Sequence, residues 1–430
     1  MAMSAISKRV LGTAFVVALS IAALAASPVF AATSGKSKSK SVGFLFSQSN
    51  DPAANSVYVF KRKSNGTIKL FETIKTGGKG TSAQQPFGLP IVDSADGLIL
   101  SPDHKLLFVV NDGSNTVTSF RVTSGGITRA DTAKSGGKLP ISVAVHGDLL
   151  YVLNGVSGNI AGFVFNSHGT LIPIAHSKQS LSVPGDTGVA ADIGFSPNGK
   201  WLVVAMRNLP TVAGNKNSPG ILDTFPVHTN GSVGAAVQTV SPEPTAFGFR
   251  FLPSGILVDT SAGVVDTVNN SPPPLGDGTQ INGSLETYRI GANGKLHAIS
   301  NAATAGRAAC WVALSKNNKY AFVTNTLSAT AAMPAPGAPI GTGEAGIARL
   351  SVASNGTVKL LGTVNSGPGF PSDEGVSPDG KYLYVTVPSM GLLPVKSHVD
   401  VFRIGSNGSL TLVQATAPTF AVGLGGVGLT

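Results

Sequence analysis

Seven times along the chain an alternating run of apolar and polar positions reaches an aromatic residue or Leu, and six positions later a Gly follows inside a polar turn. The pairs are Phe60/Gly66, Phe120/Gly126, Phe163/Gly169, Phe225/Gly231, Tyr288/Gly294, Leu350/Gly356 and Phe402/Gly408. Period-2 alternation predicts strands. In five of the seven turns Gly follows an Asn (Asn65, Asn230, Asn293, Asn355 and Asn407), the dipeptide that accepts the positive φ values of a tight hairpin. Each copy is therefore predicted to be a β-hairpin.

A second pattern alternates with the first. Ser101-Pro-Asp-His-Lys105, Ser196-Pro-Asn-Gly-Lys200, Ser315-Lys-Asn-Asn-Lys319 and Ser377-Pro-Asp-Gly-Lys381 each lead into an apolar run such as Leu106-Leu-Phe-Val-Val110, with weaker copies at His146-Gly-Asp148 and Pro253-Ser-Gly255. Pro followed by Asp or Asn and Gly makes a tight turn between two strands. Joined, the two hairpins form a four-stranded unit that recurs every 43 to 63 residues. A blade of this kind cannot bury both faces alone and must stack between neighbours, which predicts an all-β, seven-bladed β-propeller of four-stranded antiparallel blades. A β-sandwich or a β-helix is the alternative.

The ends of the chain predict how the ring closes. Gly425 to Thr430 resembles the strand that precedes a Ser-Pro-Asp-Gly turn, compare Glu374-Gly-Val-Ser377, and the chain stops there. Val42 to Phe46 resembles a second strand, and Ser56 to Thr76 supplies a third and a fourth. The closing blade should take its inner strand from the C-terminus and three strands from the N-terminus. In such a meander the tight turns share one rim. The loops between second and third strands, here 207–220, 260–284, 326–346 and 387–398, share the other with the connectors at 77–95 and 178–190. Loops of that length point to a ligand or partner face.

Composition adds location. Lys8 and Arg9 precede an apolar run from Val10 to Ala26, and Val29-Phe-Ala31 offers small residues for cleavage. Residues 1–31 therefore read as a signal peptide, with a retained membrane anchor as the alternative. Residues 32–41 read as a Ser/Lys-rich flexible tail, and 42–430 as a single propeller domain. The expected location is secreted, extracellular or periplasmic, without stable membrane insertion, and the expected state is a monomer. One cysteine, Cys310, beside Trp311 in an apolar run, allows no internal disulfide and reads as a buried core residue. The formal charge is +10, of which five positive charges lie at Lys8, Arg9, Lys36, Lys38 and Lys40. No basic stripe interleaved with aromatics suggests nucleic-acid binding.

Three segments carry a family resemblance: Ser377-Pro-Asp-Gly-Lys-Tyr-Leu-Tyr-Val385, Leu107 to Val122, and Val399 to Leu410. They resemble the seven-bladed propellers of the lactonase family, which includes bacterial 6-phosphogluconolactonases and fungal 3-carboxymuconate cyclases. The resemblance implies a seven-bladed propeller with lactone hydrolase or cycloisomerase chemistry. Two motifs depart from the family. Asp186 to Ser196 contains no His where family enzymes carry one or more, and Asn325-Thr-Leu-Ser328 stands where the family reads Asn-Arg-Gly followed by His or Glu. Neither that histidine nor that arginine is carried over.

Acidic residues are few, so those near predicted inner strands stand out. Lactone opening needs a base to activate water and a cation to hold the developing oxyanion. The candidate catalytic residues are Asp192, Arg250, Arg307 and Glu374, and the candidate ligand-binding residues are Asp186, Arg207, Glu243 and Asp373. Solvated rim charges and blade-to-blade partners are the alternative reading of each. The seven histidines are scattered and no metal site is assigned, although Ca²⁺ held by Asp and backbone carbonyls in a channel stays open. No dinucleotide fingerprint or other cofactor motif is present. Two functions follow: a non-catalytic binder of a small molecule, glycan or extracellular protein on the loop-rich face, and an exported hydrolase or isomerase acting on a lactone or small organic acid.

Overall fold

The glycines of the seven repeated turns all take positive φ, from 73° at Gly408 to 128° at Gly126. In the five Asn-Gly turns the Asn Oδ1 accepts the backbone N–H two residues on, as Asn293 does from Lys295 at 3.1 Å. The second motif is equally local. Ser101 Oγ accepts the Leu106 N–H at 3.0 Å and donates to Asp103 Oδ1, which also accepts the Lys105 N–H. Ser196, Ser315 and Ser377 repeat that pattern. The fourth place of the turn has positive φ in every copy, at His104, Gly199, Asn318 and Gly380, which explains why Gly, Asn and His share it.

The structure, a computed structural model, describes residues 39–81, 94–185, 190–207, 219–263, 283–328, 346–366, 369–388, 396–415 and 424–430. The predicted leader at 1–31 and most of the long loops lie outside the described residues. Seven antiparallel sheets follow one another, so the predicted seven-bladed propeller is borne out. Blade 1 is ordered Gly425–Leu429, Ser41–Gln48, Ser56–Lys63, Ile68–Lys75, which is the closure read from the chain ends. Blade 2 spans Leu98 to Lys134, blade 3 Pro140 to Ser180, blade 4 Ala190 to Pro244, blade 5 Ala246 to Ala303, blade 6 Gly306 to Asn365 and blade 7 Glu374 to Ala415. Blade 3 departs from four strands. Its outer strand breaks into Leu171–Pro173 and Gln179–Ser180, because Pro173 cannot donate and Ser177 Oγ accepts the Gly162 N–H at 3.0 Å.

Each interface between consecutive blades holds its own apolar cluster. Phe46, Val59, Val109 and Phe120 join blades 1 and 2; Tyr151, Leu153, Leu202 and Phe225 join blades 3 and 4. Leu45, Phe60, Tyr384 and Val401 close the ring between blades 7 and 1. The second strands are buried on both faces, as Leu106–Asn111 is throughout. Cys310 is buried among core residues, as expected.

The C-terminal strand is held by Leu45↔Leu429 and Phe46↔Gly428 pairing and by the Thr430 N–H donating to Phe44 at 3.0 Å. Its loss would expose Leu45 and Phe46, both fully buried, each worth about 1.5–3 kcal/mol. Deleting residues 424–430 is expected to lower Tm by roughly 10 °C or to prevent folding; an unchanged Tm would refute the closure.

Candidate functional site in the central channel

The inner strands of four blades carry a register shift near their upper ends, at Pro140/Ser142, Ala190/Asp192, Ala246/Phe249 and Ala309/Trp311. A bulge re-aims the side chains beside it. The Ser94–Gly97 segment, which leads into blade 2, reaches these strands. Ser94 Oγ donates to Ile141 O at 2.6 Å, the Ala95 N–H donates to Ala191 O at 3.0 Å, and Trp311 Nε1–H donates to Ser94 O at 3.1 Å. One short segment of blade 2 thus touches blades 3, 4 and 6. Ala95, Ala191, Phe247, Cys310 and Trp311 form the apolar layer around it, with the Phe247 and Trp311 rings edge to face at 5.0 Å.

The next residue, Asp96, meets Arg250 of blade 5 in a two-pronged ion pair, Nη1–Oδ2 at 2.9 Å and Nη2–Oδ1 at 3.0 Å. Arg250 Nη1 also donates to Phe249 O and lies 3.8 Å from Asp192 Oδ2. Asp192 is almost fully enclosed: its oxygens accept from Ser142 Oγ and from the Ile193 and Phe249 N–H groups. Asp373 caps the Glu374 N–H in the way Asp192 caps Ile193. Of these groups solvent reaches Arg250 and Asp96, whose side chains are 28% and 19% exposed. The N–H of Arg250 Nε and the second N–H of Nη2 carry no hydrogen bond among the described residues.

Burial sets the charge balance. It raises the pKa of Asp96 against the pull of Arg250, and raises Asp192 well above the usual carboxylate range, helped by the negative charge of Asp96. Burial and the charge of Asp96 push Asp373 up to about 7. Burial disfavours the Arg250 charge, but Asp96, Asp192 and Asp373 together hold it above the ordinary arginine value. One arginine therefore faces three carboxyl groups whose pKa values burial raises, and Asp96 is the one paired directly with it. Such a group can hold an anion or oxyanion on the arginine and exchange a proton with water.

The other candidates lie elsewhere. Glu374 is buried beside Asp373 and faces the backbone amides of Ala313 and Thr324, and burial raises its pKa well above normal. Arg307 is buried at the start of the inner strand of blade 6; burial lowers its pKa, and it does not join the ion pairs around Arg250. The Arg207 guanidinium lies 5.1 Å from the Phe247 ring centre and donates to Ala190 O at 3.4 Å. Glu243 sits at the end of an outer strand, where Asn301 of blade 5 donates to it. Asp186 lies outside the described residues. Asp96 was not among the sequence candidates. Its signal is positional: it lies five residues before Ser101, as Asp192 and Asp373 lie four before Ser196 and Ser377. Among the described residues no three His, Cys, Asp or Glu side chains gather to ligate a metal.

The family described as lactonase, 7-bladed beta-propeller, matches residues 53–190 and 100–243. No curated protein matches the chain. Among solved structures, a Bacteroides uniformis protein proposed to be a 6-phosphogluconolactonase is 18% identical, with TM-score 0.63, over 87% of this chain and 95% of its own. A Lactobacillus plantarum protein is 14% identical, with TM-score 0.63, over 90% and 99%. The periplasmic gluconolactonase of Pseudomonas aeruginosa is 16% identical, with TM-score 0.60, over 87% and 96%. These likenesses show the fold.

The raised carboxyl groups predict a pH dependence of stability. Between its ordinary value near 4 and about 7, Asp373 keeps in the folded state a proton that it loses on unfolding. Its contribution is therefore present at low pH and is lost as pH rises through 7. Between pH 5 and pH 8 the Tm of Asp373→Asn should fall less than that of the unaltered protein. Equal slopes in the two proteins would refute the assignment.

Proposed function

We propose that this chain, a member of the lactonase seven-bladed β-propeller family, is an exported hydrolase that opens the ring of a small lactone at Arg250 and Asp96. The observation that carries this reading is the channel arginine: solvent reaches it, three carboxylates hold it charged, and it keeps two N–H groups outside its internal hydrogen bonds. The predicted leader supports export, and the gluconolactonase from P. aeruginosa, similar in fold, supports a sugar-acid lactone as the substrate class.

The chemistry follows from the geometry. The lactone carbonyl oxygen accepts from the unengaged Arg250 N–H groups, which places the carbonyl carbon beside Asp96. Asp96, the carboxylate of the group that solvent reaches, takes a proton from water as the water oxygen bonds to that carbon. The carbonyl π electrons move onto oxygen, where Arg250 holds the oxyanion. On collapse the ring C–O bond breaks and the departing alkoxide takes the proton from Asp96. The product hydroxy acid then loses its carboxyl proton to solvent. Asp192, whose Oδ2 lies 3.8 Å from Arg250 Nη1, helps to hold the guanidinium in place.

A second reading has its own support. Thr326, which stands where the family motif has Arg, is engaged structurally: its Oγ1 donates to Pro371 O at 3.1 Å. A scaffold that binds a ligand without turnover would keep the Arg250–Asp96 pair as a tie across the channel.

Acid release from a panel of sugar and aliphatic lactones separates the two readings. We expect turnover by the unaltered protein, with kcat/KM falling about 10²-fold or more in Arg250→Gln and in Asp96→Asn, each with a Tm and circular dichroism spectrum showing the fold retained. A folded protein inactive on every lactone, or full activity in both variants, would overturn the hydrolase reading.

A further inference from the structure

The connectors that follow blades 1 and 2 repeat one pattern, Lys75-Thr-Gly-Gly-Lys79 and Lys134-Ser-Gly-Gly-Lys138, with a hydroxyl residue at its second place. The structure holds both in the same way. Ser114 Oγ, in the second-to-third strand turn of blade 2, accepts the Lys79 N–H, and Ser157 Oγ, in the matching turn of blade 3, accepts the Lys138 N–H at 2.9 Å. Gly77 and Gly136 have φ of 89° and 82°. A Cβ on Gly78 would stand 2.4 Å from Asn111, and one on Gly137 would stand 2.3 Å from Ser157. The glycines let each connector lie against the next blade, and the lysine that follows is carried on a fixed backbone.

Between the second connector and blade 3 lies a groove of about 730 Å³, lined by Lys134, Lys138 and Lys178 together with Ser114, Asn115 and Ser157. The lining contains no carboxylate. The three groove lysines and Lys79 are exposed, and none of the four is in an ion pair among the described residues. Asp112, the nearest acid in sequence to Ser114, is fully enclosed, and burial pushes its pKa up to about 8. The four ammonium groups on this rim therefore pair with no acidic side chain among the described residues, and Lys79 and Lys138 recur at the spacing of the blades.

We infer that this rim binds an acidic polysaccharide, a polymer whose repeating carboxylate or sulfate groups meet the lysines carried by successive connectors. Lysine meets such groups as a point charge, and serine, asparagine and the connector backbone offer hydrogen bonds suited to sugar hydroxyls. No aromatic and no arginine side chain lines the groove, so the stacking platform that single-stranded nucleic acid requires is missing. The surface is distinct from the channel at Arg250 and does not depend on lactone chemistry.

Binding of the full chain to heparin and to polygalacturonate, measured by calorimetry at 50 mM and 200 mM NaCl, tests the assignment. Heparin probes sulfate recognition and polygalacturonate probes carboxylate recognition. Single-stranded DNA and anionic phospholipid vesicles are the comparison polyanions. The variant carries Lys79→Gln, Lys134→Gln, Lys138→Gln and Lys178→Gln; the control carries Lys316→Gln, Lys319→Gln and Lys381→Gln, on the opposite rim. We expect at least one glycan to bind, with affinity falling as salt rises and about tenfold weaker in the fourfold variant. The control should bind as the unaltered protein does, with Tm unchanged in both. Equal binding by the fourfold variant, absence of binding to both glycans, or equally tight binding of DNA or vesicles would overturn the proposal.

Discussion

The contact between each turn glycine and the preceding blade is the constraint on which the ring depends. A Cβ on Gly66, Gly294 or Gly408 would enter the rings of Tyr382, Trp201 and Tyr320, and on Gly231 it would meet Leu149. At the same place a hydroxyl of the preceding blade donates to the glycine carbonyl: Tyr384 to Gly66 at 3.0 Å, Tyr151 to Gly231 at 2.8 Å, Thr224 to Gly294 at 2.6 Å and Thr287 to Gly356 at 2.7 Å. One residue thus satisfies the hairpin, which needs positive φ, and the stacking, which needs an absent side chain. That double requirement accounts for the unvarying six-residue offset from the aromatic position to the glycine. With a single cysteine and no disulfide, the ring is stabilised by these interfaces and by its closure.

A ring held in this way can carry charge where an isolated sheet could not. Removing a carboxylate from water costs several kcal/mol unless a cation or a proton accompanies it. The channel uses both: Arg250 pairs with Asp96, while Asp192 and Asp373 are shifted toward their neutral forms. The same solution recurs between blades. Glu286 accepts hydrogen bonds from Tyr288, Ser241 and Ser261, and burial raises its pKa. Because Asp96 is fixed through Ser94 and Ala95 to blades 3, 4 and 6, the ion pair between blades 2 and 5 is positioned by three further blades. Its geometry is set before any ligand arrives, which is the condition for strong electrostatic stabilisation.

The sequence made the fold readable because turn chemistry is local. Asn293-Gly294 and Ser377-Pro-Asp-Gly380 state their backbone conformation within a few residues, and the repeat then counts the blades. Closure was equally readable, since Gly425 to Thr430 copies an inner strand that lacks its partner strands. The channel was readable only in part. Asp192, Arg250 and Asp373 stood out as rare charges on inner strands, but which of them meet depends on contacts between residues 57 to 277 positions apart. Asp96 escaped because it belongs to an irregular segment, with φ of 52°, that crosses to other blades before its own strand begins. Glu243 was misleading for the converse reason: an acidic residue near a blade boundary in sequence belongs to the outer edge of blade 4 in space.

The Asn that this chain shares with the family motif has a physical role in the same interfaces. Thr76, Ser135 and Thr304 each end one blade and bond to an Asn at the end of the next blade's second strand, Asn111, Asn154 and Asn325. Asn325 is thus the third copy of a blade-to-blade link. The amide there is bonded through both its oxygen and its nitrogen to Thr304, so the position is committed to the scaffold. Chemistry at the axis must then come from side chains the scaffold does not consume, and Arg250 retains N–H groups outside its internal bonds among the described residues. The ring and the site therefore divide the polar residues between them: Asn, Thr and Ser hold the blades together, and the axial charges, shielded by that packing, are left to meet a ligand.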